Sequence, residues 1–162
     1  MADMKLKDLF EDTLKDIYYA EKQILKTLPK LEKAAEAAEL KQAFTRHFAE
    51  TEGQVERLER VFQLSGLEPS TKRCDGIDGI LKEGDTVLKE FQGTEAGDAS
   101  LIASAQAVEH YEITRYGTLR RWAQQLGLTE AAELLEATLK EESNTDDLLT
   151  QLADAGLNAK AS

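Results

Sequence analysis

Phe10, Leu14, Ile17, Glu21, Ile24, Leu28 and Leu31 follow one another at steps of 4, 3, 4, 3, 4 and 3. That rhythm lines one face of an α-helix, so a helix is predicted over about 5–35 with its seam turned toward other helices. Pro29 lies inside it and lacks the N–H that would bond to Leu25, which predicts a kink. A second helix is expected over about 40–64, with Phe44, Phe48, Val55, Leu58 and Phe62 as its apolar stripe. His47, Glu50 and Gln54 form a polar stripe beside it. Ser65-Gly66 closes it, since glycine is the usual residue just past a helix end. After the break SGLEPSTKRCDG, a shorter helix over about 76–91 presents Ile77, Ile80, Leu81, Val87, Leu88 and Phe91.

A second break, Gln92 to Asp98, leads to a fourth helix over about 99–126, with Asp98 as the expected N-cap. Leu101, Ala105, Val108, Glu112, Arg115, Leu119, Trp122 and Leu126 again step by 4 and 3. Gly127 ends it, and Thr129 is placed to cap a last helix over about 130–155 carrying Leu135, Thr138, Glu142, Thr145, Leu149 and Leu152. Gly156 and the tail after it are expected to fray. Four helices are long, and at 1.5 Å per residue one of about 27 residues spans roughly 40 Å. Two hairpins joined by a long crossover that carries the short helix describe one kind of four-helix bundle, a single all-α domain over 1–162. A shift of 91 residues supports this: Phe10, Leu14, Ile17, Glu21 and Leu28 fall on Leu101, Ala105, Val108, Glu112 and Leu119. The same shift pairs Phe44, Phe48, Leu58 and Val61 with Leu135, Leu139, Leu149 and Leu152.

Composition narrows the function classes. The 162 residues are 41% hydrophobic, enough for a core, and Ala, Leu, Glu and Lys dominate. Lys and Arg total 20 against 31 Asp and Glu, a formal net charge of −11. This argues against nucleic acid and against an anionic membrane surface as partners. The single cysteine, Cys74, cannot form an intramolecular disulfide, and it reads as a neutral surface thiol. No apolar signal segment and no spanning segment is visible, so a cytoplasmic location is expected.

Candidate chemistry lies in carboxylates that stand where leucines belong. Glu21 sits in the seam between Ile17 and Ile24, Glu112 repeats it in the fourth helix, and Glu142 does so in the fifth. Glu50 lies on the polar stripe of the second. Each long helix thus offers one inward or nearly inward acid, and like charges gathered in a dry core repel unless cations sit among them. Glu109, Gln54 and Asp146 lie three or four residues from these acids, on the same helix faces. Oxygen-rich ligands with little imidazole suit iron or manganese better than zinc or copper. His47 reads as a supporting or simply satisfied core histidine. Arg57 and Arg115 fall near the seam, so a buried salt-bridge network is the competing reading. Tyr18, Tyr19, Tyr111 and Tyr116 read as core or hydrogen-bonding residues. The stripe Ala103, Ala107, His110, Thr114 and Gly117 reads as a close helix–helix or subunit contact.

The stretches FEDTLKDIYYAEKQILKTLPKL, HFAETEGQVERLERVF, AQAVEHYEITRYGTLRRWAQQLG and LEATLKEESNTDDLLTQLA resemble the YciF-type bacterial stress-response proteins over about residues 5–155. The resemblance implies a ferritin-like four-helix fold with an added helix, a homodimer, and kinship with di-iron carboxylate proteins of the rubrerythrin kind. The wider ferritin-like pattern has a lone Glu on two helices and Glu followed three residues later by His on the other two. Glu21 and Glu112 match the lone glutamates. Glu50 and Glu142 match only the first half of the pair, because Gly53 and Thr145 stand where histidines are wanted. The 91-residue shift also sets Thr51, not Glu50, opposite Glu142.

Two functions follow as expectations. In the first, two iron or manganese ions are bridged by Glu50 and Glu142, flanked by Glu21 and Glu112, and supported by Glu109, Gln54 and Asp146. Such a di-metal oxidoreductase would handle peroxide or oxygen reductively, or oxidise and hold iron. In the second, a non-enzymatic homodimer binds a partner under stress while Arg57 and Arg115 neutralise the inner acids. A DNA-compacting shell is disfavoured by the charge.

Overall fold

The computed structural model describes residues 3–162. Five principal helices appear in it: α1 (Leu6–Ala34), α2 (Ala38–Leu64), α3 (Asp75–Phe91), α4 (Gly97–Gln125) and α5 (Thr129–Leu152). The seam of α1 is buried from Phe10 through Leu28, Glu21 included. The helix passes through Pro29 without interruption to Ala34, with the proline on its exposed side. α1 packs against α2 and α4, and α5 packs against α2 and α4, which closes a four-helix ring. The crossover helix α3 lies across α4 and α1. Among the described residues no helix is long and apolar enough to cross a membrane.

Gly66 and Gly127 end their helices as the sequence predicts. Both adopt left-handed backbone, with φ of +71° and +74°. The next amide then reaches back: Leu67 N donates to Phe62 O and Leu128 N to Ala123 O, each at 2.9 Å. A side chain at either glycine would strain this closure.

Three expectations at the helix ends are corrected. Asp98 is not the N-cap of α4 but lies one residue inside it. Its carboxylate instead accepts hydrogen bonds from Glu36 N and Ala37 N, each at 2.8 Å, and so pins the corner between α1 and α2. Thr129 is the first residue of α5 rather than its cap, and Leu128 precedes it without a side-chain bond. The tail continues in helical turns. Regular α5 ends at Leu152, a π-helical turn over Ala153–Leu157 follows with Gly156 at φ +136°, and Asn158–Lys160 form a final turn. Burial of Ala153 and Leu157 holds it in place.

Cys74 is also corrected. It is buried rather than at the surface. Its Sγ accepts from Ile77 N at 3.3 Å, capping α3, and lies 2.8 Å from the Tyr111 hydroxyl. Burial pushes the thiol above its usual range, so it stays neutral.

Candidate metal centre

The bundle interior holds an unusual polar layer. Glu21 from α1, His47 and Gln54 from α2, Glu109 and Glu112 from α4, and Glu142 from α5 are all buried. One donor atom each from His47, Glu109, Glu112 and Glu142 lies within 4.8 Å of every other. Donors on opposite sides of one ion are separated by about twice a metal–oxygen distance, roughly 4–5 Å, so this spacing is compatible with a coordination shell.

The local sequence explains the convergence. Glu21 and Glu112 occupy equivalent seam positions of α1 and α4, and Glu142 lies on the buried line Leu135, Thr138, Thr145 and Leu149 of α5. Glu109 precedes Glu112 by three residues, one turn along the same face.

With the carboxyls ionised, most of these atoms lack hydrogen bonds. Glu21 Oε2, Glu109 Oε2, Gln54 Oε1, both oxygens of Glu112 and of Glu142, and both nitrogens of His47 are buried without a partner. His47 Nε2 is 3.0 Å from Glu109 Oε1, but the pair is not aligned as a hydrogen bond. Unpaired buried polar atoms are rare in native folds, and a missing ion is one of the few explanations for a cluster of them. The donor set of four carboxylates, one imidazole and one amide therefore fits a hard or borderline divalent cation such as iron or manganese.

Electrostatics agree. Burial, and next the charge of Glu142, push the Glu21 carboxyl up to about 8. Burial pushes Glu109 to about 7, against the neighbouring Glu142 carboxyl and with the charge of Glu21. Glu112 is raised well above the carboxylate range by burial and by Glu142, Glu21 and Glu109. Burial and Glu109 do the same to Glu142. Without a cation, protons must hold this layer together.

Two candidates fall outside it. Glu50 is half-buried at the rim, where Oε1 accepts from Arg46 Nε at 2.8 Å and Oε2 from Thr145 Oγ1 at 3.3 Å. The inward position is taken by Thr51, fully buried, whose hydroxyl donates to His47 O at 2.8 Å. Asp146 faces the outer side of α4: Oδ1 accepts from Gln106 Nε2 at 3.2 Å, and Oδ2 lies 3.0 Å from His110 Nε2. Gln54 does reach the layer with Oε1, while its Nε2 donates to Glu141 Oε2 at 3.1 Å.

The arginines do not neutralise the inner acids. Arg57 makes a two-nitrogen pair with Glu141, each bond 2.9 Å, and donates to Thr138 Oγ1 at 2.7 Å. Arg115 lies over the Tyr111 ring at 5.0 Å. Among the described residues, no Lys or Arg pairs with Glu21, Glu109, Glu112 or Glu142.

Two participants were not legible as such. His47 stands within the cluster instead of being satisfied elsewhere. Its signal was its place on the polar stripe, seven residues before Gln54. Tyr116 donates its hydroxyl to Glu21 Oε1. Its signal was its position one turn after Glu112. The other three tyrosines also donate to acids: Tyr18 to Glu59, Tyr19 to Asp78 and Tyr111 to Asp16.

Comparison with known proteins places this architecture. Protein YciF of Escherichia coli (strain K12) is 45% identical over 157 residues, covering 96% of this chain and 95% of its own. The crystal structure of the E. coli stress protein YciF superposes with a TM-score of 0.90 at 44% identity, covering 95% of this chain and 98% of that one. YcfI from Rhodopseudomonas palustris matches with a TM-score of 0.89 at 44% identity, over 92% of this chain and 95% of that one. A Xanthomonas campestris protein shares the fold alone, with a TM-score of 0.74 at 23% identity over 97% of both chains. The helical fold agrees with a ferritin-like placement. The model of a domain of unknown function, DUF892, matches residues 5–162, and the chain belongs to that family.

Proposed function

We propose that this chain is a ferritin-like stress protein whose bundle core binds two iron or manganese ions. The observation that carries the reading is the cluster of partnerless buried donor atoms on Glu21, His47, Gln54, Glu109, Glu112 and Glu142. Four carboxylates, once ionised, carry four negative charges that two divalent cations balance. His47, Glu109, Glu112 and Glu142 would hold one ion. Glu21 and Gln54 would offer the remaining free oxygens to a second. When bound, such ions supply one-electron chemistry toward oxygen or peroxide. Around them, Tyr116 orients Glu21, and Arg57 with Glu141 fixes Gln54.

The chain is proposed to act as a homodimer. Ala103, Ala107, His110 and Thr114 form an exposed row on α4 that lets a second copy approach closely. Sedimentation at several concentrations tests this.

The metal reading is tested by elemental analysis of protein made in iron- or manganese-supplemented medium. Two ions per chain are expected in the wild type, with loss in Glu112→Gln and Glu142→Gln. Wild-type protein that takes up neither ion, and gains no thermal stability from either, overturns it.

A further inference from the structure

Two neighbouring cavities lie on the His47 side of the cluster. Between α1, α3 and α4 lies a cavity of about 90 Å³ with Gly84, Ser104, Lys30 and Asp85 among its lining residues. Beneath it lies a smaller chamber of about 20 Å³ that ends on His47 and Glu109. The two share Thr27, Leu31, Leu81 and Val108 as walls, so only these four side chains stand between them. Lys30 Nζ bonds to Asp85 Oδ1 at 2.9 Å across the gap between α1 and α3, spanning the mouth.

The lining selects what can pass. Ile24, Leu28, Ala105 and the shared Leu31, Leu81 and Val108 make the inner walls aliphatic. Thr27 is the one hydroxyl among them, and it donates to Gln23 O at 3.0 Å within its own helix. An ion or a water molecule needs several polar partners, and before His47 and Glu109 the inner walls offer only the Thr27 hydroxyl oxygen. A chamber of about 20 Å³ holds about one small molecule, since a single water-sized sphere occupies roughly 10–15 Å³. We propose that these cavities form a passage that binds dioxygen and admits it to the His47–Glu109 edge of the cluster. Delivery to a metal there rests on the function proposed above. The gas-binding passage itself does not.

Gly84 provides the means of testing. A Cβ built there meets Ser104 Cβ at 3.5 Å, ordinary contact, so the first side-chain carbon fits on α3 and the rest of a leucine would take up space at the mouth. Metal-free crystals of wild type, Gly84→Leu and Ser104→Leu are pressurised with xenon, which occupies dry apolar cavities. In parallel, methyl relaxation is measured under dissolved dioxygen, whose paramagnetism marks the protons it approaches. Xenon in the inner chamber and enhanced relaxation at Ile24, Ala105 and Val108 are expected in wild type. Both should be lost in the two variants, with folding checked by circular dichroism. An inner chamber empty of xenon in wild type, or one equally filled in both variants, overturns the proposal. If xenon and dioxygen bind as expected while elemental analysis finds no metal, the passage stands and the metal reading falls. The reverse pair of results removes only the passage.

Discussion

The Tyr116 hydroxyl on α4 donates to the Glu21 carboxylate on α1, joining two helices through a fully buried contact. This bond favours the ionised form of Glu21, opposing the burial that raises it. Tyr116→Phe should therefore raise the Glu21 midpoint above its present value of about 8. Leaving the buried Glu21 oxygen without its donor should also cost about 1–3 kcal/mol of stability. Carboxyl carbon shifts followed by NMR against pH check the first effect, and urea unfolding checks the second. An unchanged midpoint would show that the hydroxyl does not govern Glu21.

Both oxygens of Glu112 are buried with no N–H or hydroxyl donor facing them, among three other acids. Glu112→Gln removes a charge or a trapped proton and keeps the shape. Metal-free protein at pH 8 should be stabilised by about 1–3 kcal/mol, because an uncompensated buried acid is destabilising. The variant should lack the stabilisation by added manganese or iron expected of wild type, about 3 kcal/mol at a hundredfold excess over Kd. Calorimetric melting with and without metal reads both.

The raised carboxyls set the pH dependence of the metal-free protein. Glu21 and Glu109 move from an ordinary value near 4.5 to about 8 and about 7. Between those limits the folded state holds protons that the unfolded chain has released, so stability falls as pH rises. The contribution is complete below about pH 4.5 and lost through pH 7–8. Melting temperature measured in a chelator should decline across that window. Metal binding should show the opposite trend, strengthening with pH as ions displace protons. A flat profile in chelator would contradict the burial of these acids.

Asp98 serves the fold rather than the site. Asp98→Ala leaves Glu36 N and Ala37 N without their acceptor. The loss should resemble that of a helix cap, about 1–2 kcal/mol in urea unfolding, with metal content unchanged. A fall in bound metal would instead tie the α1–α2 corner to the centre.

Much of the fold was legible because the apolar steps of 4 and 3 are a direct consequence of helical geometry. Ile17, Glu21, Ile24 and Leu28 are buried on the face the spacing indicates. The site was legible where an acid fell on that spacing, as Glu21, Glu112 and Glu142 do. It was misread where one residue separates inside from outside. A single step turns a helix by about 100°, so Thr51 is interior and Glu50 reaches the rim. Thr145 likewise continues the buried line of α5, and Asp146 turns toward Gln106 and His110. The partner of Asp98 was illegible because capping across a helix corner depends on tertiary placement, which periodicity does not encode.

Because Thr51 occupies the place opposite Glu142, the two halves of the repeat are unlike at their centre. α4 and α5 contribute three of the buried acids, Glu109, Glu112 and Glu142, whereas α1 and α2 contribute one, Glu21, beside the His47 and Gln54 side chains. The electric field across the middle of the bundle is accordingly lopsided. Two cations entering it would be bound with unequal strength and in a fixed sequence, the first drawn to the second hairpin, and a calorimetric titration would resolve them as separate steps.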